Sequence, residues 1–158
     1  MSHPVLARFH SFDQWAFNIA GGFFDLFNDD LQAWLTDETP DEENHRGHDP
    51  AVPPLVNLEQ IGFGFGYSGP ISIQSSTSVP SGNLFELSGE PILIVATGGN
   101  IGPFRYVVLE NADRVVGGAP IVISYWDFGQ TIAIFNGGSF EILWEGIQGT
   151  GRVLQITT

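Results

Sequence analysis

The chain contains no cysteine. That excludes a disulfide framework, Cys-ligated zinc, iron–sulfur clusters and thiol catalysis. Lysine is absent as well: the five basic residues are Arg8, Arg46, Arg105, Arg114 and Arg152, set against 18 acids for a formal charge of −13. A surface of that sign repels phosphate backbones and argues against direct nucleic-acid binding. No uninterrupted run of about 18 apolar residues occurs, so no membrane-spanning helix is expected. Residues 1–20 are broken by His3, Arg8, His10 and Asp13 and offer no small-residue cleavage site, so no secretory leader is expected. The expectation is a soluble product made in a cytoplasm.

What is present is a globular, turn-rich composition, with 42% hydrophobic residues, 20 Gly and 10 Pro in 158 residues. That length favours a single domain over 1–158 with its own core. Residues 11–20, SFDQWAFNIA, read as one short N-terminal helix. Ser11 suits its cap and Gln14 the capping box. Phe12, Trp15 and Ile19 make one apolar stripe, and Gly21-Gly22 stop it. In 31–36, Leu31, Trp34 and Leu35 fit a helix at i, i+3, i+4, but the alternation of Leu31, Ala33 and Leu35 with Gln32, Trp34 and Thr36 favours a strand. Residues 37–54, DETPDEENHRGHDPAVPP, are acidic and Pro-rich and read as a long exposed mobile loop.

From residue 61 the pattern turns β. IGFGFGY (61–67) alternates Gly with large apolar residues, giving a strand with one bare face that a backbone or ring can approach. ISIQSS (71–76), NLFELS (83–88), PILIVAT (91–97), FRYVVLE (104–110), APIVISYW (119–126) and RVLQIT (152–157) each read as strands. PILIVAT is continuously apolar, as a strand covered on both faces would be. TIAIF (131–135) and SFEILW (139–144) flank Asn136-Gly137-Gly138, a hairpin signal. Short strands spaced in this way indicate an all-β sandwich or barrel.

No catalytic pattern rises above this background. Asp37, Glu38, Asp41, Glu42, Glu43, His45, His48 and Asp49 hold metal-ligating chemistry. They lack the EF-hand order, however, and Gly47 and Pro50 disfavour a helix that would align the two His. A solvated acidic loop is the simpler reading. No G-x-S-x-G occurs, and all four His precede residue 49. GFGFG lacks the helix, Lys and Ser/Thr of a phosphate cradle. Among the acids of the β region, nothing singles out a glycosidase pair. No cofactor, metal site or catalytic residue is therefore assigned, and the chain is not read as an enzyme. Arg105 and Asp127 lie within apolar strand patterns, and an inward Arg demands a carboxylate, so the two are expected to form a structural ion pair.

One long stretch resembles a known family. GPFRYVVLENADRVVGGAPIVISYWDFGQTIAIFNGGSFEILWEGI (102–147) is similar to a motif of small tailed-phage structural proteins. There an aromatic-Arg-Tyr strand leads to W-D-F-G, then an Asn/Asp-Gly turn and an F-x-I-x-W strand. Phe104, Arg105, Tyr106, Trp126, Asp127, Phe128, Gly129, Gly137, Phe140, Ile142, Trp144, Gly146 and Ile147 carry the likeness. LQAWLTDETP (31–40) and LVNLEQIGFGFGYSGP (55–70) extend it upstream, with a gap at the acidic loop. Pro70 replaces the second Gly of the usual pair, and the N-terminal helix is not part of the pattern.

The resemblance implies a virion component, foremost a capsid decoration (cement) protein on the capsid surface, assembled in the host cytoplasm. It carries no catalytic residues over. The implied partner is the major capsid protein, and the chain is expected to form a homo-oligomer, a dimer or trimer. Phe9, Phe12, Phe23 and Phe24 are candidates for the capsid or oligomer contact, with core packing as their alternative. The expected fold is a β-sandwich of jelly-roll type. A tail or neck component, or a carbohydrate-binding β-sandwich used in host attachment, are the competing functions.

Overall fold

The computed structural model describes residues 7–12, 21–25, 28–41, 44–45, 57–73, 75–81, 84–143 and 151–157. Within them the chain forms ten strands: β1 (Arg8–Ser11), β2 (Leu31–Thr36), β3 (Ile71–Ser72), β4 (Ser75–Ser81), β5 (Leu84–Gly89), β6 (Ile92–Val95), β7 (Ile101–Val116), β8 (Ala119–Ile134), β9 (Ser139–Ile142) and β10 (Gly151–Thr157). Every pairing between them is antiparallel. No helix occurs among the described residues, and the protein is all-β.

Gly117 and Gly118, at φ 62 and 87, make the turn that joins β7 to β8. Two central residues at positive φ match the twist of the flanking strands, and side chains with a Cβ resist that conformation. The hairpin so formed has 16 residues in each arm. It merges the sequence segments 119–126 and 131–135 into one strand, with register shifts along β7 absorbing the irregular places. β1 adds to the outside of β8, and β2 then β3 to the outside of β7, giving a five-stranded sheet in the order β1-β8-β7-β2-β3. β10-β5-β4 form a three-stranded sheet, and β6-β9 a two-stranded ribbon.

The five-stranded sheet buries side chains on both faces. Leu31, Ala33, Leu35, Val107, Leu109, Ile121 and Ile123 face the main core, where they meet Ile92, Ile94 and Ile142 of the ribbon. Trp34, Tyr106, Val108, Val122 and Tyr125 face the other way and close over Phe12, with Leu58 against them. Period-2 alternation therefore sorts residues between two apolar layers, rather than between core and water.

Several expectations change. Ser11, expected to cap a helix, ends β1 opposite Ser124, and Phe12 N donates to Ile123 O at 3.0 Å. The rest of the expected helix, 13–20, lies outside the described residues. IGFGFGY is not a strand: Gly64 N and Tyr67 N exchange hydrogen bonds with each other's carbonyls, and Phe65 and Gly66 sit at φ 56 and 106. Gly66 is required there, because a Cβ would fall 2.1 Å from the carbonyl oxygen of Val95. PILIVAT is covered on one face only, with Leu93 and Val95 exposed. Asn136-Gly137-Gly138 is a turn but does not close a hairpin. β9 leaves it to pair with β6, because Gly137 N and Gly138 O both bond Ala96. Trp144 lies outside the described residues.

The acidic segment is also more ordered in its contacts than its composition suggests. Pro40 and His45 are buried. Thr36 Oγ1 donates to Glu59 O at 2.6 Å, Glu59 N donates to Glu38 Oε2 at 2.8 Å, and the hydroxyls of Thr39 and Tyr106 lie 3.2 Å apart. Asp37, Glu38, Thr39 and Asp41 are exposed, as in a solvated loop, whereas Pro40 and His45 turn inward. Polar bonds to Glu59 and Tyr106 hold this stretch, and composition does not register such bonds. Residues 46–54 lie outside the described residues.

Candidate functional site

Three turns meet through hydrogen bonds and form a tip: 63–67, 96–100 and 135–138. Thr97 N donates to Phe65 O (2.8 Å), Ala96 N to Gly138 O (2.9 Å) and Gly137 N to Ala96 O (2.8 Å). Asn136 Oδ1 accepts from Gly98 N (2.8 Å), and Asn100 Oδ1 accepts from Asn136 N (2.9 Å). These bonds fix the backbone while leaving large apolar side chains outside. Phe63, Phe65 and Phe135 are 66%, 54% and 70% exposed. The Phe65 ring packs against Gly99, where a Cβ would come within 2.5 Å of it. Leu93 and Val95 on β6, and Leu143 just past β9, are exposed as well, with Leu93 paired to Glu141 and Val95 to Ser139 on the outer side of the ribbon. The bonded turns leave these rings little backbone freedom to lose if they were covered.

The four aromatic residues singled out from sequence divide. Phe12 is fully buried and Phe24 is 5% exposed, so both are core and present no docking surface. Phe23 is half-buried, stacks on Phe24 and lies under the Arg114 guanidinium at 5.7 Å. Phe9 alone among the four is exposed, with its ring 5.4 Å from that of Trp126. The tip residues Phe65 and Phe135 escape sequence reasoning because their segments read as a strand with one bare face and as one arm of a hairpin. The signal available was the density of Gly around them.

Arg105 and Asp127 pair through two hydrogen bonds, Nε to Oδ1 at 2.8 Å and a terminal NH2 to Oδ2 at 2.9 Å. The hydrogen bond from Arg105 holds the Asp127 carboxyl below the usual carboxylate range, and Gly129 N adds a third donor. The pair is not inward: the Arg105 side chain is 39% exposed. A second pair, Asp29 with Arg114, is more buried and was not foreseen. Asp29 Oδ2 accepts from Arg114 Nε, Asn111 Nδ2 and Asp25 N, and Oδ1 accepts from Arg114 at 2.7 Å. Burial opposes ionisation of Asp29, but these bonds outweigh it and lower its pKa.

On the second face of the sheet lies a cavity of about 260 Å³ beside Trp34 and Glu110. Trp34 Nε1 donates to Glu110 Oε2 at 2.7 Å. Burial pushes the Glu110 carboxyl up to about 7, against the Trp34 hydrogen bond and with help from the negative charge of Asp30. His45 also lines this cavity; its Nδ1 accepts from Asp41 N at 2.8 Å and its Nε2 lies 3.5 Å from Glu38 Oε1. Among the described residues, no group of three or more His, Asp or Glu side chains is placed to hold a metal. Within those residues, too, no helix is long and apolar enough to cross a membrane. No family model, no curated protein and no solved structure matches the chain.

Proposed function

We propose that the protein is a structural virion component that decorates and stabilises a tailed-phage capsid, docking on the major capsid protein at the capsid surface and catalysing no reaction. The observation that carries the docking role is the tip, where Phe63, Phe65 and Phe135 stand exposed on two of three turns that hydrogen bonds link together. Buried aromatics dominate binding energy at interfaces, and a preset backbone lowers the cost of association. A protein that binds the assembled shell, and not its dissociated subunits, stabilises the shell by mass action. The formal charge of −13 supports a solvent-facing outer surface that keeps particles apart. Symmetric seams recruit symmetric oligomers, so a dimer or trimer belongs to the same reading. The sandwich is of jelly-roll type in this reading. The nested pairs β1·β8 and β2·β7 support a rolled topology, and the direct pairing of β7 with β8 is its departure.

The test adds purified wild-type protein, or a Phe65→Ser/Phe135→Ser variant, to capsids that lack it. Bound copies are counted by gel densitometry, and shell survival on heating is followed. Wild type is expected at a copy number comparable to the major capsid protein, with raised heat resistance, and the variant is expected to stay unbound while folded. A few copies per particle would favour a tail or neck position instead. Absence of the protein from intact virions would overturn the reading.

A further inference from the structure

Glu110 is 5% exposed, yet among the described residues it has one hydrogen-bond donor, the Trp34 indole, and no cationic partner. A buried carboxylate ordinarily comes with a counter-charge. Here the cavity occupies that place. Gln32, Gln60, Asn57 and His45 supply its other polar walls, and the remainder is apolar. We propose that this cavity binds a primary ammonium group, with Glu110 as the counter-charge and Trp34 as the aromatic wall.

Several observations select that chemistry. Oε2 is already committed to Trp34, which leaves one carboxylate oxygen. A guanidinium prefers both oxygens, whereas an ammonium is a point charge satisfied by one, with amide carbonyls taking its other protons. Gln32 holds its amide nitrogen on Asp30 Oδ2 at 2.8 Å, which leaves its carbonyl oxygen as such an acceptor. A hard divalent metal needs more carboxylate oxygens than one Glu offers. Indole rings attract cations, and the formal charge of −13 draws cations toward the protein. The chain has no lysine, so no side chain of its own supplies an ammonium. The group comes from a free small amine or from a lysine side chain on another protein. This site is separate from the tip and stands whether or not the tip binds a capsid.

The groups able to titrate near Glu110 are Asp30 ahead of β2, Tyr67 from the 57–73 segment, and His45 with Glu38 behind it. The cavity residues of β8 (Ala119, Pro120 and Val122) do not titrate. A ligand that needs the carboxylate therefore weakens as Glu110 takes up its proton below about pH 7.

The test titrates the full chain at pH 8 and constant ionic strength with n-butylammonium chloride, n-butanol, glucose and Nα-acetyl-lysine methylamide. Readouts are calorimetry and the Trp34 indole N–H resonance. The expected result is saturable binding of n-butylammonium, at least tenfold tighter than n-butanol or glucose and at least tenfold weakened in Glu110→Gln. Wild type should lose at least tenfold affinity between pH 8 and pH 5, and His45→Gln should keep that loss. This second readout stands even if Glu110→Gln does not fold. Equal binding of the lysine derivative assigns the site to a partner's lysine, and its exclusion assigns a free amine; both support the proposal. Binding of n-butanol or glucose as tight as that of n-butylammonium, no binding of n-butylammonium, or undiminished binding in Glu110→Gln would overturn it.

Discussion

Trp34 and Glu110 are diagonal neighbours across β2 and β7: Trp34 pairs with Val108 and Gln32 with Glu110, and the indole N–H reaches the carboxyl at 2.7 Å. The register puts both on the second face of the sheet, where an acid meets apolar surroundings instead of water. Diagonal partners on one face are within reach of long and aromatic side chains.

That placement sets a pH dependence. Folding raises the Glu110 pKa from its ordinary 4.5 to about 7, so the folded protein keeps a proton that the unfolded chain has released. Stability then falls as pH rises from about 4.5 to about 7 and is level above, by an amount on the order of 3 kcal/mol. Glu110→Gln keeps an oxygen for Trp34 and removes the titration. Urea unfolding should show the variant more stable than wild type at pH 8 and nearly equal to it at pH 4. An unchanged slope between pH 5 and 7 would show that Glu110 ionises freely in the fold.

The Asp29 carboxylate works in the opposite direction. Its folded pKa lies below the ordinary 3.8, so its contribution is present at neutral pH and is lost as pH falls through the folded value. Asp29→Ala strips the acceptor from Arg114, Asn111 and the Asp25 amide together, and should cost about 3 kcal/mol at pH 7. The gap between variant and wild type should narrow in acid. A loss under about 0.5 kcal/mol at pH 7 would mean that water replaces the carboxylate without penalty.

Ser124 is fully buried on β8, and its Oγ has no hydrogen-bond partner among the described residues. A buried hydroxyl without a partner loses its hydration and recovers nothing. Ser124→Ala is expected to raise stability by about 1 kcal/mol, or a few degrees in Tm for a chain of this size. A destabilised variant would show that the hydroxyl is bonded in solution.

How far sequence reasoning reached depends on what each residue answers to. The alternation in 31–36 is legible because Leu31, Ala33 and Leu35 all face one core. Leu31, Trp34 and Leu35 match a helical stripe as well because Trp34 is buried too, against a second layer that one strand's pattern cannot reveal. IGFGFGY carried the period of a strand, yet its backbone obeys Gly64 and Gly66 at positive φ, with Gly66 also fitted against the Val95 carbonyl. Leu93 and Val95 match a buried strand in composition, and their exposure belongs to the outer side of the ribbon. The Arg105–Asp127 pairing followed from two charges in apolar strands. Glu110 was one acid among many until the register set it beside Trp34.

The segment 38–49 gives a result at odds with its composition. It holds almost no large apolar side chain, and on that ground its deletion should leave Tm nearly unchanged. The structure instead buries Pro40 and His45, ties Glu38 to the Glu59 amide and places the Thr39 hydroxyl 3.2 Å from that of Tyr106. Deleting 38–49 uncovers the second face of the sheet near Tyr106 and leaves the Glu59 amide without its carboxylate. A loss of about 2–4 kcal/mol is expected from the exposed surface and unmade bonds together. That corresponds to a fall in Tm of roughly 5–15 °C at this chain length. Thermal unfolding of the deletion variant measures it, and a Tm within a degree of wild type would return the segment to a solvated loop.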